Sequence, residues 1–146
     1  MSALPKSETP DLLIGMIHSP VTWEHWPTAK AMLHPALMRS DEDWPAVERD
    51  LQSNANQLWV VMEGGGQLLA VATTRIALAR GGEVAEIYLV GGSDLERWIA
   101  ELDATIAASA REIGCIAMRA YGREGWRKSL GALGWRVKAV AYEKAL

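Results

Sequence analysis

Apolar and polar positions along the chain alternate between two rhythms, and the rhythm predicts the elements. Leu95, Trp98, Ile99, Leu102, Ile106, Ala110 and Ile113 recur at steps of three and four, which places one apolar stripe along about five turns of helix. Ser93 with Glu96 three residues on has the capping-box spacing, so the helix is expected to start at Ser93 and to stop at Gly114. Ahead of it VAEIYLV (Val84 to Val90), rich in β-branched and aromatic residues, predicts a buried strand ended by Gly91 and Gly92. Behind it CIAMRA (Cys115 to Ala120) predicts a second buried strand. Strand, helix and strand in this order predict a right-handed parallel crossover, with a glycine-preceded helix N-terminus where an anion can sit.

The rest of the chain falls around this unit. Residues 1 to 10 are polar and carry Pro5 and Pro10, which predicts a flexible tail ahead of one domain spanning 11 to 146. Asp11 to His18 is apolar but too short for periodicity to separate strand from helix. A helix opening at Thr22 or Glu24 would carry Trp26, Ala29, Met32, Leu33, Leu37 and Met38, with Pro27 in its first turn and Pro35 ending or bending it. A second helix is expected from Ser40, with Trp44, Val47 and Leu51 as its buried stripe. Gln57 to Glu63 and Gln67 to Ala77 read as strands joined through Gly64, Gly65 and Gly66, and Ala79 to Gly82 reverses the chain into Val84, giving a three-strand meander. Arg123 to Leu133 predicts a helix with Trp126, Leu130 and Leu133 on one face, stopped by Gly134. Trp135 to Lys144 alternates over its first half and is expected to close the sheet as a last strand.

Composition narrows the classes. A formal charge of −3 argues against a nucleic-acid binder driven by overall charge, and no run of about eighteen apolar residues offers a membrane span. One cysteine excludes an internal disulfide, and the N-terminus lacks the basic and apolar blocks of a signal peptide, so a cytoplasmic protein is expected. His18, His25 and His34 lack metal-ligand spacing, so no metal is expected. Seven tryptophans stand against no phenylalanine, and most should serve as core or groove wall.

Two helices, a meander, a glycine stop, a long helix, a strand, a short helix ending Leu-Gly-aromatic and a closing strand: this order resembles the GNAT superfamily of N-acetyltransferases. The segment Gly122 to Lys144 looks like that family's last elements. Gln57 to Val61, Gly91-Gly92 with Trp98, and Gly114-Cys115 with Gly122-Arg123 and Gly125-Trp126 are similar to small GNAT-like proteins of phage and prophage clusters. The resemblance implies an α/β fold, a mixed and mostly antiparallel twisted sheet with helices on both faces. It implies either an acetyl-CoA-dependent N-acetyltransferase of weak or lost activity, acting on a small-molecule or protein amine, or a non-enzymatic interaction or assembly protein on the same fold. Four departures bear on the choice. The family's turn carries an Arg or Gln and two spaced glycines around the coenzyme A pyrophosphate, whereas this turn is only Gly91-Gly92-Ser93-Asp94. Asp94 and Glu96 add negative charge there. The family's acid tyrosine falls on Leu130, which has no proton to give, and its asparagine on Arg123.

Candidate site residues follow. Glu86 is the expected general base, with a rim carboxylate as the plainer alternative. Leu89, Val90, Gly91, Gly92 and Ser93 would offer main chain to pantetheine and phosphate, the plainer account of the glycines being a turn that needs positive φ. Arg123 could bind a phosphate or adenine, or pair with an acid such as Glu86. Trp23, Trp26, Tyr121 and Trp126 are the candidate substrate or partner groove, against ordinary core packing. Cys115 is expected to be inert. Exposed strand edges permit a homodimer.

Overall fold

The computed structural model describes residues 11–146, and the expected tail, 1–10, lies outside them. Five strands form one sheet in the order β1-β2-β3-β4-β5, comprising Leu12–Ile17, Gln57–Glu63, Leu68–Ala79, Gly82–Gly92 and Ala117–Ala120. The first four are antiparallel neighbours, and β5 lies parallel to β4. Asp11 to His18, undecided in sequence, supplies β1 along β2. The β2–β3 hairpin closes at the glycines as expected, where Gly66 takes φ +94 and donates to the Glu63 carbonyl at 2.8 Å.

Helices cover both faces. On one, α1 (Trp26–Met38) and α2 (Trp44–Gln52) bury Trp26, Leu33, Leu37, Val47 and Leu51 against Leu58, Val60, Val71 and Leu89. Pro27 sits in the first turn of α1, while Pro35 lies inside a helix that runs three residues further. On the other face α3 (Leu95–Glu112) lays Trp98, Leu102 and Ile106 over Trp59, Val61, Ala70 and Ala72. Each of these three α3 side chains is almost fully buried, so each stabilises the layer by roughly 1.5–3 kcal/mol.

Several expected boundaries move. The second helix starts at Trp44 and not near Ser40, because the Asp43 carboxylate accepts the Ala46 N–H at 2.9 Å, while the Ser40 hydroxyl is held by the Leu37 carbonyl. The capping box at Ser93 does not form: Asp94 is the N-cap, in a left-handed conformation (φ 58) with no side-chain cap. Glu96 instead accepts from Ser129. Ile113 leaves the stripe and is exposed, since it follows the last helical turn. The predicted buried strand from Cys115 shortens to Ala117–Ala120 and is only half-buried, because among the described residues no strand pairs along its outer edge. The helix expected over Arg123 to Leu133 becomes a 3-10 turn, Glu124–Trp126, followed by the short α4, Arg127–Gly131.

The largest correction concerns the last strand. Trp135 to Lys144 does not close the sheet, and residues 136–146 run exposed, without helix, strand, turn or bend. Trp135 is the final anchor, its indole N–H donating to Asp103 on α3 at 2.8 Å and its backbone N–H to Leu130 at 3.1 Å.

Candidate active site

The site lies where β4 and β5 part. Their parallel pairing runs from Val84 with Ala117 to Ile87 with Ala120, and the Tyr121 N–H makes a last, long contact of 3.4 Å to the Ile87 carbonyl. Beyond Ile87 the β5-facing edge of β4 has no strand partner among the described residues. The divergence coincides with an irregularity on the other side of β4: Thr73 pairs with Leu89 and Thr74 with Ile87, so Tyr88 is an extra residue. A bulge of this kind bends its strand and redirects side chains. Here it sends both Tyr88 and Leu89 into the core beneath α1 and α2.

Glu86 stands one turn of the pleat before the bulge and is 6% exposed, so the rim alternative is wrong. Register places Arg75 of β3 and Arg119 of β5 directly beside it on either hand. Arg75 Nε donates to Glu86 Oε1 at 3.1 Å; Arg119 Nη1 and the Tyr121 hydroxyl both donate to Oε2 at 3.2 Å. Arg75 also reaches Glu42, ahead of α2, at 3.0 Å, and its guanidinium lies 4.2 Å over the Tyr88 ring. Burial raises the Glu86 carboxyl's pKa, but the hydrogen bonds from Arg75, Arg119 and Tyr121 outweigh it and hold the group below its ordinary value. Both oxygens of Glu86 are therefore engaged and its basicity is reduced, which is a poor setting for a general base.

The glycines behave differently from one another. A Cβ on Gly91 would stand 1.9 Å from the Met32 carbonyl oxygen, so Gly91 is required by the close approach of α1 to β4. Gly92 has φ +144 and packs against Leu69 and Ala70 backbone. Leu89 is buried in the core, and Val90 is half-buried on the α3 side. The Ser93 N–H donates to the Leu69 carbonyl and its own carbonyl accepts the Trp98 indole N–H at 2.6 Å, so neither group is free. Arg97 bonds back to Asp94, leaving the Leu95 and Glu96 N–H groups of α3 without backbone partners.

Arg123 is exposed, caps the 3-10 turn and makes no ion pair among the described residues; Arg75 and Arg119 hold Glu86 in its stead. Tyr121 is 64% exposed at the mouth of the wedge. Trp126 joins Leu130 and Trp135 from one side, and Ile99 and Leu102 from the other, around a narrow apolar cleft of about 20 Å³ above Ile87, Val90 and Ala120. Trp26 does not line a groove: it is core, its indole N–H held by Glu48 at 3.0 Å and its ring set edge-on to Trp44. Trp23 is half-buried and lies edge-on to His25. Burial, helped by the nearby Glu83, pushes the Cys115 thiol up, away from thiolate chemistry. Among the described residues no three His, Cys, Asp or Glu side chains are grouped to hold a metal, and no helix is long and apolar enough to cross a membrane.

Sequence reading missed Arg75, Glu42 and the bulge at Tyr88. Arg75 reaches Glu86 only through the register of β3 with β4, and Glu42 reaches Arg75 only through the α1–α2 connection. A bulge leaves no composition signal in VAEIYLV.

No protein-family model matches the chain, and no curated protein is similar to it in sequence. Solved structures are similar in shape. An acetyltransferase from Trypanosoma brucei aligns over 93% of this chain and 100% of its own at a TM-score of 0.61 and 17% identity. Glucosamine-6-phosphate N-acetyltransferase from Arabidopsis thaliana aligns over 92% and 98%, with a TM-score of 0.64 and 13% identity. An aminoglycoside acetyltransferase from an uncultured soil metagenomic sample aligns over 93% and 99%, with a TM-score of 0.68 and 14% identity. The architecture is that of the GNAT acetyltransferases, and at these identities the likeness concerns the fold.

Proposed function

We propose that the protein is an acetyl-CoA-dependent N-acetyltransferase that uses the β4–β5 wedge and acts on a small-molecule amine. The observation that carries this reading is the β5-facing edge of β4 from Leu89 to Gly92, which pairs with β3 on its other side and has no strand partner among the described residues where β5 has turned away. Such an edge accepts an amide-bearing chain as a strand would, which fits pantetheine. The free Leu95 and Glu96 N–H groups fit a phosphate, although Asp94 and Glu96 weaken that attraction. The coenzyme supplies an activated thioester. The chain's own part is to hold it along β4, to admit an amine over the α1–α2 face, and to manage one proton. Direct attack by the neutral amine forms the C–N bond, breaks the C–S bond, and moves a proton from nitrogen to sulfur overall. Tyr121, whose ring is exposed at the parting of the strands, is read as the donor to sulfur: its hydroxyl turns from Glu86 Oε2 to the thiolate and regains its proton from the product nitrogen through solvent. Glu86 is read as a positioning residue, fixing Tyr121 and the two arginines. Among the solved structures of like shape, those acting on aminoglycosides and on glucosamine-6-phosphate motivate a small amine as acceptor.

A second reading, an interaction or assembly protein of phage type that retains the fold without the chemistry, draws on one observation. The turn is occupied internally: the Ser93 N–H donates to the Leu69 carbonyl, and Gly91 lies close against the Met32 carbonyl of α1. Calorimetric titration with acetyl-CoA decides between them. Saturable binding in the micromolar range is expected; no heat and no thermal shift at millimolar ligand would leave the second reading.

A further inference from the structure

We infer that the acceptor is a primary amine carrying a carboxylate, an amino acid, and that Arg119 takes the carboxylate on the acceptor side of the wedge. The inference rests on the acetyltransferase reading above and narrows its acceptor. Alternation along the strands decides which way the groups face. Ile87 and Ala120 line the apolar cleft under α3 and α4, so their neighbours Glu86, Arg119 and Tyr121 point to the opposite face of the sheet, where α1 and α2 pack. There four side chains form a row of alternating charge: Glu42 to Arg75 at 3.0 Å, Arg75 to Glu86 at 3.1 Å, and Glu86 to Arg119 at 3.2 Å. Each inner member of such a row lies between two opposite charges, and each end has only one. The positive end, Arg119, stands beside the parting of β4 and β5, where the next group along the row should be an anion.

The two arginines differ in what they have left to give. Arg75 spends Nε on Glu86 and Nη1 on Glu42, and its flat face lies 4.2 Å over the Tyr88 ring. Arg119 makes one hydrogen bond among the described residues, from Nη1, although a guanidinium has further N–H groups to offer, and its side chain is 28% exposed. Those remaining donors form a fork that suits a carboxylate, which accepts two parallel N–H bonds. Position then ties the anion to the reaction. Arg119 Nη1 and the Tyr121 hydroxyl meet at one oxygen, Glu86 Oε2, at 3.2 Å each, so a carboxylate on Arg119 brings an amine a few bonds away up to the hydroxyl that serves the transfer. The transfer itself is unchanged: C–N forms, C–S breaks, and the proton leaves nitrogen for sulfur. The acids of the α1–α2 connection do not call for a polycation instead. Glu42 is tied to Arg75 and Asp43 caps α2, leaving Asp41 as the one acid of that run without a partner among the described residues.

The test gives the full chain saturating acetyl-CoA and compares each common amino acid with its own α-amide, which keeps the amine and the side chain but loses the negative charge. Spermidine serves as the polycation. Thiol release reads the rate, and acetyl-CoA binding is measured by calorimetry on the same sample. At least one amino acid is expected to exceed its amide by about tenfold or more in kcat/KM, carried by KM, which is the size of one charge-assisted fork. Arg119→Gln should bring that ratio close to one. The change also loosens Glu86 and Tyr121, but this lowers kcat for acid and amide alike and cancels in the ratio. Arg119→Lys, which keeps the charge without the fork, should retain part of the preference, and it decides the matter where Arg119→Gln does not fold. Acetyl-CoA binding with amides or spermidine acetylated as well as the amino acids overturns this proposal and leaves the acetyltransferase reading in place. A preference for amino acids that survives unchanged in either folded variant gives the carboxylate to another residue and overturns it too. Acetyl-CoA binding with no amine acetylated, or no binding at all, overturns both.

Discussion

At Glu86 the chemistry of a single side chain fixes what the site can and cannot do. A carboxylate 6% exposed is tolerable only because Arg75, Arg119 and Tyr121 occupy its lone pairs, and those partners also depress its pKa. A group whose pKa is lower folded than unfolded contributes stability that is present above the unfolded value and is lost as pH falls through the folded one. Glu86→Gln should therefore cost about 2–3 kcal/mol near pH 7, less than the ~3–5 of a fully buried pair, since the arginine side chains remain 32% and 28% exposed. That cost should shrink as pH drops below roughly 4. Thermal melts of both proteins from pH 7 to pH 3 measure it, and a pH-independent gap would count against the ionised cluster. Some acid sensitivity stays in the variant, because Glu48 is likewise held low: burial raises it, but Trp26 and Lys30 outweigh that. At Tyr121 the expectation is kinetic. Tyr121→Phe removes the hydroxyl that donates to Glu86 Oε2 from an otherwise exposed ring, so acetyl transfer should fall by about 10²-fold in kcat with KM nearly unchanged, at a stability cost of about 1 kcal/mol. An unaltered kcat would remove Tyr121 from the reaction.

At the scale of elements, β4 and α1 show how a glycine that reads as a ligand site can answer to packing. The carbonyl of Met32 occupies the space a side chain at Gly91 would need. Since that neighbour is helix backbone and cannot swing aside, Gly91→Ala should destabilise by about 3 kcal/mol and lower Tm by roughly 10 °C. A melting curve unmoved by the change would return Gly91 to the ligand. The same scale shows what the sequence could convey. Periodicity is a local property, and it located α3, β2, β3 and β4 because Trp98, Leu102 and Ile106, or Leu58 to Val61, state their burial within one element. Caps were less legible: Ser40 and Ser93 both look like starts, but Asp43 and Asp94 hold those positions, and the choice depends on where the preceding chain arrives. Least legible was the Glu86 cluster, which depends on register between β3, β4 and β5, and register is not written in any one strand. The segment from Arg136 onward has the pattern of a strand, but pattern alone cannot say whether a sheet edge receives it, and in the single chain none does.

Across the whole molecule, stability should fall from the centre of the sheet toward the wedge. The middle strands carry the fully buried Leu58, Val61, Val71 and Leu89 with α1, α2 and α3 packed over them, whereas α4 and the 3-10 turn before it bury no residue and β5 is only four residues long. Local opening draws on the least buried segments first. Hydrogen exchange should then find the slowest amides in β2, β3 and β4, at or near the global unfolding free energy, with those of β5 and α4 exchanging much sooner. The functional reading makes this gradient informative. A ligand lying between α3 and α4 with its chain along Leu89 to Gly92 would have to bridge the stable sheet to the labile flank, and what binds only the closed form stabilises it in proportion to ligand excess. At a hundredfold excess over the dissociation constant, acetyl-CoA should slow exchange across 117–131 by about 100-fold, and should slow the β2 and β3 amides, which open only when the whole chain unfolds and releases the ligand, by about the same factor. Slowing of the β2 and β3 amides with none across 117–131 would mean that the flank opens with the ligand still bound, and so is not bridged by it. Slowing confined to β1 would place any binding on the far side of the sheet, where neither Glu86 nor Tyr121 could serve it.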